Sequence, residues 1–363
     1  MDDVSLIKLA STPAHEETAR IMQICNACRY CEGYCAVFPA LQSERSFSDG
    51  DITQLANLCH NCRGCYYACQ YTEPHEFALN VPKVLAEVRH ESWKKYAWPA
   101  GFAGLFDRSG VVIAASLIAG FAGIFALAQG MKPETGEGFY ASLSHTLMVA
   151  IFTPAFLLPL FAIGISMRAY WRDVGGESFN LADLRSALFD AGRIKNLSGG
   201  HGDGCNFEDE DRFSQARRYF HQATLYGFLL CFGATASGTV LHYAFGLEAP
   251  YGFISLPKLL GVPGGILLCL GTAGLAWLKT KADPDLGAPK IWGGEMAFVL
   301  LLFAVSLTGL VLYAATGTSA VPVLLALHLG TVLTFFLLTP YSKMAHGFYR
   351  LAALARDANC RRN

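Results

Sequence analysis

The sequence predicts an all-α protein in which a small helical domain, residues 1–95, precedes a bundle of six transmembrane helices. Of the 363 residues, 53% are hydrophobic and only 16% are charged, proportions that differ strongly from those of ordinary soluble proteins. The apolar residues are also concentrated after residue 95, where long apolar runs alternate with short polar connections. We therefore expect a membrane domain behind a mixed, charged N-terminal domain.

The N-terminal domain is expected to stay in the cytoplasm. Its start, MDDVSLIKLASTPAHEE, is acidic and lacks the basic segment and following apolar segment of a secretory signal. The net charge of −1, without a basic patch interleaved with aromatic residues, gives no reason to expect nucleic acid as a partner.

Six segments are long and apolar enough to span a membrane, because about 20 apolar residues cross a hydrocarbon core of about 30 Å. They lie at residues 110–130, 143–166, 222–245, 256–278, 294–315 and 320–339. Pro154 and Pro159 fall inside the second segment and predict kinks, since neighbouring helices can satisfy the freed carbonyls. Residues 110–363 are thus predicted to form one cytochrome b-like membrane domain, with a cytoplasmic loop at residues 169–220.

Lysine and arginine residues are concentrated in alternate connections between the predicted spans and in the tail. These residues are Arg172, Arg185, Arg193, Lys195, Arg212, Arg217 and Arg218; Lys279, Lys281 and Lys290; and Lys343, Arg350, Arg356, Arg361 and Arg362. Only Lys132 lies between the first two spans, and neither residue type lies between the last two. Positive connections stay inside, so both termini are predicted to be cytoplasmic in a bacterial inner membrane.

Residues 96–109 are predicted to link the two domains at the level of the lipid headgroups. The surrounding segment has the aromatic and basic composition of a helix that lies in the interface. Its characteristic residues are Trp93, Lys94, Lys95, Tyr96 and Trp98. An ordinary amphipathic linker helix is the alternative.

Two short segments each carry four cysteines with the spacing C-x2-C-x2-C-x3-C. The first run contains Cys25, Cys28, Cys31 and Cys35, and the second contains Cys59, Cys62, Cys65 and Cys69. In bacterial [4Fe-4S] ferredoxins with this spacing, the fourth cysteine of each run ligates the other cluster. We therefore predict an α-helical dicluster ferredoxin-like domain. The first cluster is expected on Cys25, Cys28, Cys31 and Cys69, and the second on Cys59, Cys62, Cys65 and Cys35.

The runs depart from the ferredoxin pattern at one point, because Ala36 and Gln70 follow the fourth cysteines where ferredoxins have proline. This departure leaves the partition of the fourth cysteines open. Disulfides are disfavoured by the cytoplasmic placement, and zinc usually takes paired C-x2-C units. Cys231 and Cys269 lie in apolar spans and are expected to pack as small hydrophobic residues.

Histidines occur at two depths on two of the predicted helices, and an imidazole at bilayer depth needs a partner. The third span opens with His221 and closes with His242, about 31 Å further along one helix. The sixth helix, continued through a kink at Pro340, would carry His328 and His346 about 27 Å apart. The sequence thus offers His221 with His346 for an inner haem b, and His242 with His328 for an outer one.

The number of haems, one or two, remains open at this point. His145, at the outer end of the second span, is a rival ligand for the outer haem or a proton donor to a quinone. Histidines near helix ends that only meet lipid headgroups are the alternative interpretation.

Clusters beside a membrane and haems within it would form an electron-transfer chain. No G-x-G-x-x-G motif opens a helix after a strand, so no nucleotide-binding or flavin-binding fold of the usual kind is predicted. Electrons are then expected from a separate flavoprotein on the cytoplasmic side, with quinone as their acceptor. The polar loop that carries His201, Asp203 and Cys205 is expected to contact either that partner or the N-terminal domain, unless it is merely solvated.

The cysteine runs and two long segments together resemble the tricarballylate utilisation protein B family over nearly the whole chain. These segments are GGHGDGCNFEDEDRFSQARRYFHQATLYGFLLCF and YGFISLPKLLGVPGGILLCLGTAGLAWL. The resemblance implies an iron–sulfur and haem b membrane protein that reoxidises the reduced FAD of a tricarballylate dehydrogenase and passes electrons to quinone. It implies a quinone-reducing subunit that does not act on the organic substrate alone.

Three alternatives to this interpretation remain. A related arrangement serves a flavoprotein of aerobic cobalamin synthesis, so the substrate of the partner is open. A membrane-bound iron–sulfur redox sensor and a zinc-stabilised scaffold protein are the others.

Overall fold

The computed structural model describes residues 12–131, 143–178, 180–200, 202–208 and 211–362, and Lys132 and His201 lie outside this part of the chain. In the described residues the regular elements are helices, and a single isolated bridge joins Cys205 and Ser214. The predicted all-α fold is confirmed.

Five helices form the N-terminal part around the cysteine runs. They are α1 (Pro13–Cys28), α2 (Val37–Gln42), α3 (Asp49–Leu58), α4 (Gly64–Tyr67) and α5 (Val81–Tyr96). The start of α3 is fixed by a capping box, in which the side chains of Ser48 and Asp51 each accept a backbone N–H of the other residue. Met22, Leu55 and Leu85 lie in the shared core of these helices.

Eight further helices follow in the described chain. They are α6 (Leu105–Met131), α7 (His145–Asp173), α8 (Leu181–Gly192), α9 (Ala216–Phe245), α10 (Leu256–Lys281), α11 (Trp292–Ala314), α12 (Val321–Leu338) and α13 (Ala345–Arg362). Six of them, all except α8 and α13, are long and apolar enough to cross a membrane, as the sequence predicts. Pro154 and Pro159 lie inside α7, which continues through both. The protein is therefore a multi-pass membrane protein.

Aromatic side chains surround the C-terminal end of α12, beside the segment predicted to lie at the headgroup level. Trp98 and Phe102 are exposed, and the Phe102 ring lies 5.5 Å from that of Tyr341. The Tyr341 hydroxyl donates to the Trp98 carbonyl at 3.1 Å. These contacts tie the connection between α5 and α6 to the end of the last span.

Helices α9 and α10 pack with their backbones almost in contact. A Cβ atom on Gly227 would lie 2.5 Å from the backbone nitrogen of Leu268, and one on Gly271 would lie 2.6 Å from that of Thr224. Small residues permit such close approach between membrane helices, where van der Waals packing drives association. The pair therefore forms one rigid side of the bundle.

On its other side, α9 meets its neighbours through side chains. The ring of Phe228 lies 5.8 Å from that of Phe335 on α12, and the ring of Phe232 lies 6.1 Å from that of Phe156 on α7. Among the described helices, only α10 runs along α9 at close backbone distance. The histidines of α9 make their contacts away from α10, since His242 contacts α7 and His221 contacts α13.

Replacing Gly227 with alanine should lower the stability of the protein in detergent by about 1–3 kcal/mol, the usual cost of forcing atoms into a packed interior. The added methyl group meets the backbone of α10, which cannot rotate away. Gly233→Ala on the same helix is the control, because its Cβ would lie 3.5 Å from the Leu260 side chain. Thermal unfolding followed by tryptophan fluorescence measures both variants, and equal midpoints would contradict the close backbone packing.

The prediction that one helix carries both His328 and His346 is wrong. Helix α12 ends before Pro340, which has no N–H to continue the hydrogen-bond ladder. A short 3-10 turn, Thr339–Tyr341, follows, and the backbone at Ser342 is extended. His346 therefore lies on the separate helix α13.

Helix α13 completes the core of the N-terminal part. The Gln54 side chain of α3 donates to the Ala353 carbonyl at 2.8 Å and accepts from the Tyr170 hydroxyl of α7 at 2.7 Å. At the end of α13, Arg362 pairs with Asp183 of α8 at 3.1 Å. Elements from before and after the membrane spans thus share one buried core.

Candidate functional site

The cysteine runs fold as tight turns with an unusual backbone. Arg29, Asn61 and Arg63 have φ values of 58°, 53° and 68°, in the left-handed region that residues with a side chain seldom adopt. Such conformations cost free energy and cluster at functional sites. Arg29 follows Cys28, whereas Asn61 and Arg63 flank Cys62, so the strain lies where the chain turns from one thiol to the next.

The thiols predicted for the first cluster line one cavity of about 230 Å³, whose other walls are mostly apolar or aromatic. The cysteines that line it are Cys25, Cys28, Cys31, Cys65 and Cys69. Burial raises the pKa of Cys25 to about 12, and the charges that act on it are those of Cys31, Cys69 and Cys28. The structure thus brings Cys69 of the second run to the first run.

The thiols predicted for the second cluster form a deeper group. Burial raises the pKa values of Cys35, Cys62 and Cys65, and the largest charge effects on Cys35 come from Cys62 and Cys59. The structure therefore brings Cys35 of the first run to the second run.

Backbone N–H groups also point at two of the sulfur atoms. The N–H of Asn61 donates to the Cys59 sulfur at 3.3 Å, and that of Tyr71 donates to the Cys69 sulfur at 3.4 Å. Hydrogen bonds to sulfur are one of the means by which proteins tune iron–sulfur clusters. No three cysteine, histidine, aspartate or glutamate side chains in the described ranges converge tightly enough to hold a single metal ion. Two groups of four soft thiol donors suit larger iron–sulfur cubes.

The polar loop between α8 and α9 lies on the second cysteine run, so the expected contact with the N-terminal domain is present. The N–H of Asn206 donates to the Cys62 carbonyl at 2.9 Å. The Phe207 ring contacts two guanidinium groups, that of Arg217 at 4.0 Å and that of Arg63 at 4.7 Å.

The fold of this loop depends on glycine. Gly204 has a φ of +112°, and a Cβ atom there would lie 2.1 Å from the Ser214 carbonyl oxygen. Cys205 is fully buried beside Cys62, and its thiol donates to the Leu197 carbonyl at 3.3 Å. The loop thus covers the second cysteine run as a packed lid.

His221 and His346, the predicted inner pair, lie together although His346 belongs to α13 and not to the sixth span. Their ring centroids are 6.1 Å apart, with the ring planes at 80°. An imidazole nitrogen binds a divalent metal at about 2.0 Å, so two imidazoles on opposite sides of one metal have centroids about 6 Å apart. At this spacing, His221 and His346 could together hold one haem iron.

The surroundings of this pair also suit metal ligation. The His346 Nδ1 donates to the Lys343 carbonyl, which leaves Nε2 to bind a metal. Burial lowers the pKa of His346 well below its usual value, so the ring stays in the neutral form that metals require. The buried Nδ1 of His221 has no hydrogen-bond partner among the described residues.

His60 adjoins the inner pair, and the sequence analysis did not identify it. It directly follows Cys59, and its Nδ1 donates to the Leu58 carbonyl at 2.8 Å. Burial lowers its pKa well below the usual value, and the charges that act on it include those of Arg350 and His221. The only signal in the sequence was a histidine between two cysteines, which says nothing of its nearness to α9.

At the other end of α9, His242 stacks against the rival ligand His145, with ring centroids 4.3 Å apart and planes at 27°. His328 instead has its Nδ1 3.0 Å from the Thr308 hydroxyl of α11. Gly309 gives it room, since a Cβ atom there would lie 3.1 Å from the His328 ring. The stacked rings are closer than two ligands of one metal, so a haem between them requires the rings to separate.

Comparison with known proteins agrees with this architecture. Residues 18–95 match the citrate utilization protein B Fer4-like domain, and residues 109–363 match citrate utilization protein B itself. The chain is 45% identical to citrate utilization protein B of Escherichia coli over 352 residues. This alignment covers 96% of this chain and 93% of that relative. No solved structure matches the chain. Since both parts of the sequence match, the chain belongs to the citrate utilization protein B family.

Proposed function

We propose that the protein is the membrane electron-transfer subunit of an oxidoreductase complex in the bacterial inner membrane, with both termini in the cytoplasm. It takes electrons from the reduced FAD of a partner dehydrogenase and delivers them, through two [4Fe-4S] clusters and haem b, to quinone. The observation that carries this proposal is the contact between the second cysteine run and the start of α9, where Arg217, about one turn before His221, donates to the Asn61 carbonyl at 2.6 Å.

The partner is proposed to oxidise a tricarboxylic acid. The Escherichia coli relative is named for citrate utilisation, and the family resemblance points to tricarballylate, which carries the same three carboxyl groups. The chain itself is proposed to act only on electrons, because the cavities and histidines described above suit cofactors instead of a polyanionic substrate.

The first cluster is proposed to receive the electrons. Cys28, one of its four ligands, is exposed, and the neighbouring Tyr30 is 69% exposed. The second cluster, on the buried thiols and Cys59, lies between the first and the histidines of α9. A flavoprotein that docks over Cys28 therefore reaches the first cluster more closely than any other centre.

His221 and His346, whose ring centroids lie 6.1 Å apart, would hold the inner haem b. His242 would hold the outer haem, and His145, whose ring lies against that of His242, is proposed as its second ligand in place of His328 once the two rings separate. When bound, such haems supply one-electron carriers at two depths of the bundle. The protein would supply the imidazole side chains of these four histidines.

Cofactor content and electron transfer together test the proposal. Anaerobically purified protein should contain about eight non-haem iron atoms per chain, from two four-iron clusters, and should show b-type bands in a reduced-minus-oxidised spectrum. In proteoliposomes with a quinone, the reduced partner dehydrogenase should be reoxidised only when this protein is present. A colourless sample without iron would refute the proposal, and full cofactors without quinone reduction would favour the redox sensor.

A further inference from the structure

Three arginines from three different helices converge on the backbone of the second cysteine run. Arg89 of α5 and Arg350 of α13 both donate to the Cys59 carbonyl, at 2.7 and 2.9 Å. Arg217 of α9 donates to the Asn61 carbonyl at 2.6 Å. The second run is therefore held from three sides by cationic groups.

These cations are largely removed from water. Arg89 is only 5% exposed, and the Nε atom of Arg350 is buried with no hydrogen-bond partner among the described residues. Burial lowers the pKa of Arg350 to about 9, which shows how poorly this site solvates its charge. Buried cations are costly unless a negative charge offsets them, and a cluster held by four thiolates carries such a charge.

Among the described residues, no comparable set of cationic side chains acts on the first cysteine group. The charges that act on Cys25 and Cys31 are those of other thiols, whereas Arg217 acts on Cys62. Arg29, within the first run, is exposed and donates to the nearby Asn26 carbonyl, so water and salt screen its charge.

Two opposing effects act at the second group. Reduction adds a negative charge, which a buried, poorly solvated site disfavours. Glu208 and Glu295 also act on this region, on Cys205 and Arg350 respectively. Three guanidinium groups in direct contact with the run outnumber these two carboxylates, and their attraction is strong because the site is poorly solvated.

We propose that Arg89, Arg217 and Arg350 raise the reduction potential of the second cluster above that of the first, so that electrons move in one direction toward the membrane. This inference rests on the proposed function. In the step itself, one electron leaves the reduced first cluster and enters the oxidised second cluster, and no bond is formed or broken. The arginines act as positioning and charge-setting groups and do not ligate iron.

An anaerobic redox titration of the purified full chain, followed by electron paramagnetic resonance, tests the inference. The signals are assigned with the Cys69→Ala variant described below, which should retain only the second cluster. The second cluster should have the higher midpoint. Arg350→Gln should raise its ratio of oxidised to reduced form at least tenfold at a fixed potential, equivalent to about 59 mV for one electron. The first cluster should not shift.

Matched variants distinguish the effect of the positive charge from the effects of side-chain shape and of a general loss of structure. Arg350→Lys keeps the charge and should retain most of the wild-type midpoint. Arg20→Gln is the control, since Arg20 pairs with Glu17 at 2.6 Å on the exposed face of α1. If Arg350→Gln loses its cofactors, Arg217→Gln provides the same test from another helix.

Two results would overturn the inference while leaving the proposed function intact. One is a second cluster whose midpoint is equal to or below that of the first. The other is an Arg350→Gln protein in which only a haem midpoint moves, which would assign the cations to the haem. The absence of any cluster signal in the wild-type protein would instead refute the proposed function itself.

Discussion

Replacing Cys69 with alanine should remove the first cluster and leave the second, although Cys69 belongs to the second run in the sequence. The reason is that Cys69 lines the cavity of the first run, whereas the largest charge effects on Cys35 come from Cys62 and Cys59. Non-haem iron should fall by about half, from about eight to about four atoms per chain. Cys35→Ala should remove the other half. Cys360→Ala, at an exposed position of α13, is the control and should lose none.

Double variants test the same assignment by iron content alone, so no spectroscopic signal has to be assigned to a particular cluster. If Cys69 and Cys28 serve the same cluster, the Cys69→Ala and Cys28→Ala double variant should lose no more iron than either single variant. Combining Cys69→Ala with Cys62→Ala should remove nearly all of it. The reverse pattern would show that each run holds a complete cluster alone, and the crossed assignment would be abandoned.

Replacing His221 with alanine should remove about half of the haem and reduce quinone reduction by the reduced partner to background. His346→Ala should have the same effect, because the two rings lie at the spacing of two ligands of one metal. The clusters should remain, since no cysteine is touched. On one sample, the pyridine haemochrome measures haem, the iron content measures the clusters, and the proteoliposome assay measures quinone reduction.

The outer haem allows a sharper comparison between two histidines. His145→Ala should remove the haem that His221→Ala retains, because His145 contacts His242. His328→Ala should keep both haems, since the His328 ring is held by the Thr308 hydroxyl. If His328→Ala loses the outer haem and His145→Ala does not, His328 is the ligand and the stacking of His145 is incidental.

The features that follow from local pattern were predictable from the sequence. The lengths of the six spans, the passage of α7 through Pro154 and Pro159, and the grouping of cysteines by spacing all depend on residues close together in the chain. The nearness of His221 to His346 was also predicted, but on a wrong premise. The sequence analysis continued the sixth helix through Pro340, whereas the pair forms because α13 turns back toward α9.

The features that were missed depend on contacts between distant segments. Nothing in the pattern around His60 or Arg89 indicates that α9 and α13 bring Arg217 and Arg350 to the same loop. The stacking of His145 on His242 is of the same kind, because it depends on how α7 leans against α9. Periodicity identifies the helices, but it does not specify which faces meet.

The return of α13 to the N-terminal core has a consequence for how the protein is made. Roughly 250 residues separate the end of α5 from the start of α13, and a ribosome adding about 5–20 residues per second needs roughly 10–50 s to make them. Throughout that interval Gln54 lacks its α13 partner, Ala353. The core of the nascent N-terminal helices is incomplete, and the neighbouring cysteine thiols hold no iron. The core around the cysteine runs is therefore completed only after the last membrane span has been translated.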